Sequence, residues 1–116
     1  MSAGIYNFTW EQGATVSETL YWKVGDPAEP VDLTGFTARM SLKSQGTQAL
    51  SLTTENSRIV LGGVAGSIVL SVDAVTSATI LAASYAYDLE LVSGDATPVV
   101  TRLLKGFVKV PGNITT

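Results

Sequence analysis

The chain lacks the two residue types on which much protein chemistry depends, since its 116 residues include no cysteine and no histidine. Without cysteine there is neither a disulfide framework nor a thiolate metal site. Without histidine the commonest metal ligand and the commonest general base are also missing. The many serines and threonines therefore have no neighbour that would activate them as nucleophiles. We expect a protein that is not an enzyme and that needs no cofactor or metal.

Charge is also scarce, because charged residues make up 15% of the chain and the net charge is −3. The basic residues are interleaved with acidic ones and form no run: Lys23, Arg39, Lys43, Arg58, Arg102, Lys105 and Lys109. A nucleic-acid-binding protein needs a basic patch that releases counterions from phosphates, so we expect no nucleic-acid partner. Surfaces of soluble monomers are usually about a quarter to a third charged. The low charge predicts that part of this surface faces another protein.

Long apolar runs are absent as well, and none approaches the roughly 20 residues that a membrane-spanning helix needs. The first residues lack the basic start and apolar run of a signal peptide. We therefore expect no membrane partner and synthesis in the cytoplasm. The length fits one domain over residues 1–116, with a core at about residues 5–110 and a C-terminal tail at residues 111–116.

What the sequence does contain is alternation, and it is clearest in residues 31–43, where a turn leads directly into a strand. Gly35 is predicted to supply the positive φ that this turn needs. The strand has the period of two that is typical of a half-buried strand. Phe36, Ala38, Met40 and Leu42 face inward, whereas Thr37, Arg39, Ser41 and Lys43 face outward.

The same alternation predicts further strands in residues 5–10, 14–24, 50–52, 59–61, 68–72, 85–92 and 99–110. In the second of these, Val24 completes the inward row and Glu18 interrupts it, which predicts a bulge or a sheet edge at Glu18. In the last strand, Gly106 is the predicted bulge.

One stretch changes to the helical period. Asp73 can cap a short helix, and Ala74, Ala78 and Leu81 fall at helical spacing. We expect one or two helical turns that cross between the sheets. About eight short strands and one short helix predict an all-β fold, a two-sheet antiparallel sandwich of immunoglobulin-like or related topology.

Two motifs suggest chemistry but are better explained by structure. Asp88 and Glu90 share one strand face, as in a glycosidase or a calcium site, but the neighbouring sequence offers no further carboxylates. We interpret them as part of a solvated strand face. The glycine-rich residues 62–66 lack the Lys-Ser/Thr ending of a phosphate loop and are interpreted as a turn.

Aromatic residues are the remaining candidates. Trp10 and Trp22 are assigned to the core, whereas Tyr21 alternates outward and is a candidate for a contact surface. Arg39 and Lys43, on the outward row of the clearest strand, are the other candidate protein-contact residues.

Four stretches together carry a family resemblance: YNFTWEQGAT at residues 6–15, VDLTGFTARM at 31–40, YAYDLEL at 85–91 and TRLLKG at 101–106. They resemble small virion proteins of tailed bacteriophages, similar to the immunoglobulin-like N-terminal domain of phage baseplate upper proteins. The resemblance covers about residues 5–110 and brings no catalytic residues with it. It implies a virion component but not a place in the virion, because the docking segments of baseplate upper proteins have no counterpart in this chain.

Within the virion we expect a structural protein of the tail, baseplate or fibre attachment, which contacts other virion proteins and forms a homo-oligomer, with a trimer or hexamer as the natural forms. Two alternatives stay open. One is a capsid cement protein that clamps neighbouring capsomers. The other is a carbohydrate-binding module that uses Tyr6 or Tyr21 as a stacking platform.

Overall fold

A computed structural model describes residues 4–25 and 27–111 of the chain. Within these residues it contains eleven strands, a short helix α1 (Ala74–Ala78) and a 3₁₀ turn at Gly63–Ala65. The strands are β1 (Gly4–Ile5), β2 (Phe8–Thr9), β3 (Val16–Tyr21), β4 (Lys23–Val24), β5 (Glu29–Pro30), β6 (Thr37–Ser44), β7 (Thr47–Thr53), β8 (Ile59–Leu61), β9 (Ser67–Val72), β10 (Ala83–Val92) and β11 (Val100–Val110).

The strands form two main sheets. The large sheet has the order β1-β11-β10-β6-β7, with β2 also paired to β11, and the small sheet has the order β3-β9-β8. Strands β4 and β5 form a separate two-stranded ribbon. If β1 and β2 are counted as one interrupted strand and the ribbon as part of a loop, eight principal strands are left. The all-β sandwich expected from the sequence is confirmed.

The connectivity is immunoglobulin-like. The small sheet holds the second, fifth and sixth principal strands, and the large sheet holds the remaining ones, with the first strand lying parallel to the last. Near the start of β10, the Tyr85 hydroxyl donates a 2.6 Å hydrogen bond to the carbonyl of Leu81, four residues upstream. This is the tyrosine corner that is typical of immunoglobulin-like sandwiches.

One hydrophobic core fills the space between the sheets. The large sheet contributes the inward row of β6, namely Ala38, Met40 and Leu42, as the sequence predicted. From β10 it contributes Tyr85, Tyr87, Leu89 and Leu91, and from the small sheet come Val16, Ile59, Ile68, Leu70 and Val72. Each strand therefore stabilises the sandwich through its period-two apolar row.

Two turns explain how the β6 region reaches its place. Gly35 has φ +83°, which confirms the prediction of a left-handed residue before β6. Strands β6 and β7 are connected by Gln45 and Gly46 alone, which have φ of 53° and 80°. Positive φ at both central residues is the signature of a type I′ hairpin turn.

The predicted bulge at Gly106 is wrong. Gly106 pairs regularly with Tyr87, whereas the register shifts where Leu89 opposes Leu104 and Glu90 opposes Arg102, so Leu103 is the extra residue. Gly106 has another role, since a Cβ there would lie 2.7 Å from Asn7 Oδ1 and closer still to the Tyr6 carbonyl oxygen. Glycine at this position permits the close approach of the first strand.

The predicted short helix is present between the two sheets. Asp73 caps it as predicted, since its Oδ1 accepts a 2.7 Å hydrogen bond from the Thr76 backbone N–H. The helix connects β9 of the small sheet to β10 of the large sheet, also as predicted. The buried residues of this region are however Ser77 and Ile80, whereas Leu81 is exposed. Leu81 lies beyond the helix, because α1 ends at Ala78.

The region of β3 also departs from the prediction at one end. Strand β3 ends at Tyr21, the chain turns into the β4–β5 ribbon, and Val24 is exposed instead of completing the inward row. Glu18 lies within β3, which among the described strands pairs with β9 alone and without a register shift. The alternative of a sheet edge, and not a bulge, is therefore correct for Glu18. The predicted tail at residues 111–116 lies outside the described residues from Gly112 onward.

Candidate functional site

The outward face of the large sheet is the most distinctive surface of the protein. Because side chains alternate along each strand, the residues next to the buried rows of β6, β10 and β11 all point away from the core. We call this surface the cationic face and define it by nine residues: Ile5, Arg39, Lys43, Asp88, Glu90, Arg102, Lys105, Phe107 and Lys109.

The cationic face concentrates the positive charge of the chain. It contains five of the seven basic residues but only two of the ten acidic ones, which gives the face a charge of +3 in a chain of net charge −3. The basic residues form no run in the sequence, but strand pairing collects five of them on one surface, because it brings β6 and β11 to either side of β10. The interleaved acids are nevertheless present, at Asp88 and Glu90 on β10.

An ion-pair network occupies the centre of this face. Arg39 lies directly opposite Glu90 in the β6–β10 register, and its Nε is 2.8 Å from Glu90 Oε1. Arg102 reaches both carboxylates, with its Nε 3.2 Å from Asp88 Oδ2 and its second terminal nitrogen 3.4 Å from Glu90 Oε2. The network links the three central strands of the sheet from the outside.

The network also fixes the charge of Glu90. The hydrogen bond from Arg39 lowers the pKa of the Glu90 carboxyl below its ordinary value. Burial opposes this shift, and the positive charges of Arg39 and Arg102 lower the pKa further. Glu90 is therefore ionised at neutral pH and orients the Arg39 guanidinium. Within residues 4–25 and 27–111, Lys43, Lys105 and Lys109 form no ion pair.

Two open depressions lie side by side on this face. One, of about 370 Å³, is lined by the Arg39, Lys43, Asp88 and Glu90 side chains above small residues. The other, of about 350 Å³, lies between Ile5, Arg102, Lys105 and Phe107. Ser41, Ala86 and Gly106 form their floors, so the depressions exist because short side chains are surrounded by long ones. Ile5 and Phe107 add an apolar rim, with 75% and 58% of their surface exposed.

The structure brings together two of the three candidate residues predicted from the sequence. Arg39 and Lys43 lie four residues apart on the cationic face, at the edge of the first depression. Tyr21 does not join them, because it lies on β3 in the small sheet and points outward on the opposite side of the sandwich. The residue is 61% exposed, and the Lys23 ammonium lies 5.8 Å from its ring centre.

Sequence reasoning missed the contribution of β11 to this surface. Arg102, Lys105 and Phe107 were assigned no role, because the expected bulge at Gly106 left the phase of the strand unknown. The signal was the regular alternation of Leu104, Gly106, Val108 and Val110, all of which point inward or are partly buried.

The remaining candidate residues include three aromatic side chains that differ in their burial. Trp10 is buried in the core as predicted, whereas Trp22 is half-buried and packs edge-on against Phe36 with ring centres 6.4 Å apart. Tyr6 is about half-exposed, and its ring contacts that of Phe8 with ring centres 4.8 Å apart. Among the described residues, no group of three or more acidic side chains is placed to hold a metal ion.

The described helices also include none that is long and apolar enough to cross a membrane. Fold and surface together define the protein as an immunoglobulin-like β-sandwich with a cationic outer sheet face. A scan against models of known protein families finds no match, and a search of curated proteins finds no significant relative.

Proposed function

We propose that this protein is a non-enzymatic structural component of a tailed-bacteriophage virion. It acts at the tail, the baseplate or the fibre attachment and holds other virion proteins through its cationic face. The sequence resemblance supports the phage origin, and the composition of the face supports protein contact as the mode of action.

The four stretches that carry the resemblance have a common location. Residues 6–15 include β2, residues 31–40 include the start of β6, residues 85–91 lie in β10, and residues 101–106 lie in β11. These are neighbouring strands of the large sheet. The resemblance therefore concerns the sheet that displays the cationic face, which favours a shared contact surface over a chance likeness of turns.

The observation that carries the proposal is the combination of side chains on this face. Two arginines held in place by carboxylates lie next to an exposed phenylalanine and an exposed isoleucine, around two depressions. Arginine and aromatic residues supply much of the binding energy in protein interfaces, particularly where they fill or surround pockets. An arginine whose orientation is already fixed loses less side-chain entropy when a partner binds.

The test uses phage particles that carry a charge-reversed face. The variant Lys43→Glu/Lys105→Glu changes two exposed lysines that form no described ion pair, so we expect it to fold normally and to be missing from purified particles. Ser17→Glu/Thr19→Glu is the matched control, because it adds two carboxylates at exposed positions on the outward row of β3, on the opposite side of the sandwich, and should leave incorporation unchanged. Normal incorporation of the double variant would show that the face is not the virion contact.

The position of the wild-type chain in the particle distinguishes a tail protein from a capsid cement protein. We expect cryo-electron microscopy of the particles to show the chain in the tail, the baseplate or at the fibre attachment. Density for the chain on the icosahedral shell would overturn that assignment in favour of a capsid cement protein.

A further inference from the structure

Three loops meet at the end of the sandwich that lies away from α1. The stretch 22–36 is held to the turn at 62–66 by hydrogen bonds from Leu33 N to the Gly63 carbonyl (2.9 Å) and from Trp22 N to the Gly66 carbonyl (2.8 Å). The loop 93–99 joins them, because Gly94 packs against the Gly35 backbone so closely that a Cβ would clash. We call residues 22–25, 27–36, 62–66 and 93–99 the loop end.

The loop end has the opposite character to the cationic face. Among its described residues, Glu29, Asp32 and Asp95 are exposed acids and Lys23 is a cation whose ammonium lies near Tyr21, toward the small sheet. Hydrogen bonds from the Thr34 hydroxyl and backbone N–H lower the pKa of the Asp32 carboxyl, so its charge is secure at neutral pH. Val24, Val64 and Val99 add exposed apolar surface between the acids.

We propose that the cationic face of one copy binds the loop end of a second copy of the same chain. This inference rests on the proposed function, in which that face is a permanent protein contact. The two surfaces match in both respects that matter for recognition. A face with a charge of +3 and an apolar rim meets an acidic end that exposes valines.

The charges also decide the geometry of assembly. A symmetric dimer that paired two cationic faces would oppose five basic residues with five others, with only two carboxylates on each side. A contact between the face and the loop end avoids that repulsion. Because it joins different surfaces of the two copies, it is heterologous, and repeated contacts form a closed ring or an open filament.

The experiment measures self-association of the purified chain by sedimentation velocity over a wide range of concentration at low and high salt. We expect the mean mass of the wild-type chain to rise with concentration, and the rise to weaken at high salt. Either Lys43→Glu/Lys105→Glu on the face or Glu29→Lys/Asp95→Lys on the loop end should abolish the rise. The four substitutions together exchange the charges and should restore association.

A control variant and three contrary results test this proposal. Glu11→Lys reverses an acid near the other end of the sandwich and should leave association unchanged, and circular dichroism verifies that each variant folds. A wild-type chain that stays monomeric at every concentration would overturn the proposal, as would association that survives Glu29→Lys/Asp95→Lys or is not restored by the exchange. If self-association fails while Lys43→Glu/Lys105→Glu is still excluded from particles, the proposed function stands and the partner is another virion protein.

Discussion

Gly106 is the position where a single methyl group tests the packing of the first strand against the large sheet. The chain segment between β1 and β2 passes directly over it. There, Tyr6 N donates to the Lys105 carbonyl at 3.0 Å, and Phe107 N donates to Asn7 Oδ1 at 3.0 Å. The buried Tyr87 hydroxyl donates to the Tyr6 carbonyl at 2.6 Å. Gly106→Ala would place its Cβ against the Tyr6 and Asn7 oxygens and force the segment away.

The expected loss of stability is worked from these contacts. A hydrogen bond contributes about 1 kcal/mol net, and leaving the Tyr87 hydroxyl buried without a partner costs about 1–3 kcal/mol. Displacing Phe8 would also weaken its ring contact with Tyr87, at 5.4 Å between centres, which is worth about 0.5–1.5 kcal/mol. Allowing for partial relaxation, Gly106→Ala should lower the free energy of unfolding by about 3 kcal/mol.

The assay is urea unfolding followed by circular dichroism, with Gly46→Ala as the control. Gly46 also has a positive φ, +80°, but a Cβ added there would meet no other atom within 4 Å, so only backbone strain of about 1 kcal/mol is expected. A second check combines Gly106→Ala with Tyr87→Phe. Both substitutions disrupt the same hydrogen bond, so the double variant should lose less stability than the two single variants lose together. Equal losses at Gly46 and Gly106, or full additivity with Tyr87→Phe, would refute the reasoning.

Three further predictions concern tyrosines. Tyr85→Phe removes the hydroxyl that donates to the Leu81 carbonyl and should lower the free energy of unfolding by about 1 kcal/mol in the same assay. An unchanged free energy of unfolding would show that the tyrosine corner does not stabilise the fold. Burial raises the pKa of Tyr87 to about 12, so the folded state favours the neutral phenol. Stability from this group is present below the ordinary pKa of about 10 and is lost as the pH rises toward 12. The alkaline loss should therefore be smaller in Tyr87→Phe, and equal losses would contradict this. Tyr21→Ala removes an outward ring and should change the free energy of unfolding by less than about 0.5 kcal/mol. If the domain binds bacterial surface glycan and Tyr21→Ala abolishes that binding, the carbohydrate-binding alternative gains over the scaffold.

The period-two rows made much of the fold predictable. Residues 36–43 and 85–92 alternate without interruption, and the structure buries the inward rows of both strands except for Phe36, which is partly buried. Alternation is a local property, fixed by the backbone of each strand, and therefore needs no knowledge of partners. The same holds for the Asp73 cap and for the left-handed Gly35, which depend on neighbours within a few residues.

The cationic face was only partly predictable, because it depends on pairing between distant parts of the chain. Arg39 and Glu90 are 51 residues apart in sequence and meet only through the β6–β10 register. The place of β11 depends in addition on the bulge at Leu103, which has no turn residue to mark it. The sequence predicts which residues of β6 and β10 point outward. It does not predict which strands lie next to each other in the sheet.

Two of the four edge strands of the sandwich, β3 and β7, carry features that oppose pairing with a strand of another molecule. Because β1 and β2 pair with β11, strand β3 is left as an edge of the small sheet. Its inward row there contains Glu18, and a charged residue that points inward at an edge opposes pairing with another strand. At the edge of the large sheet, β7 has a register shift that leaves Ala49 as an extra residue, and a bulge twists such an edge away from a partner. These two edges therefore disfavour strand pairing between copies, and the proposed contact between the cationic face and the loop end requires pairing at neither of them.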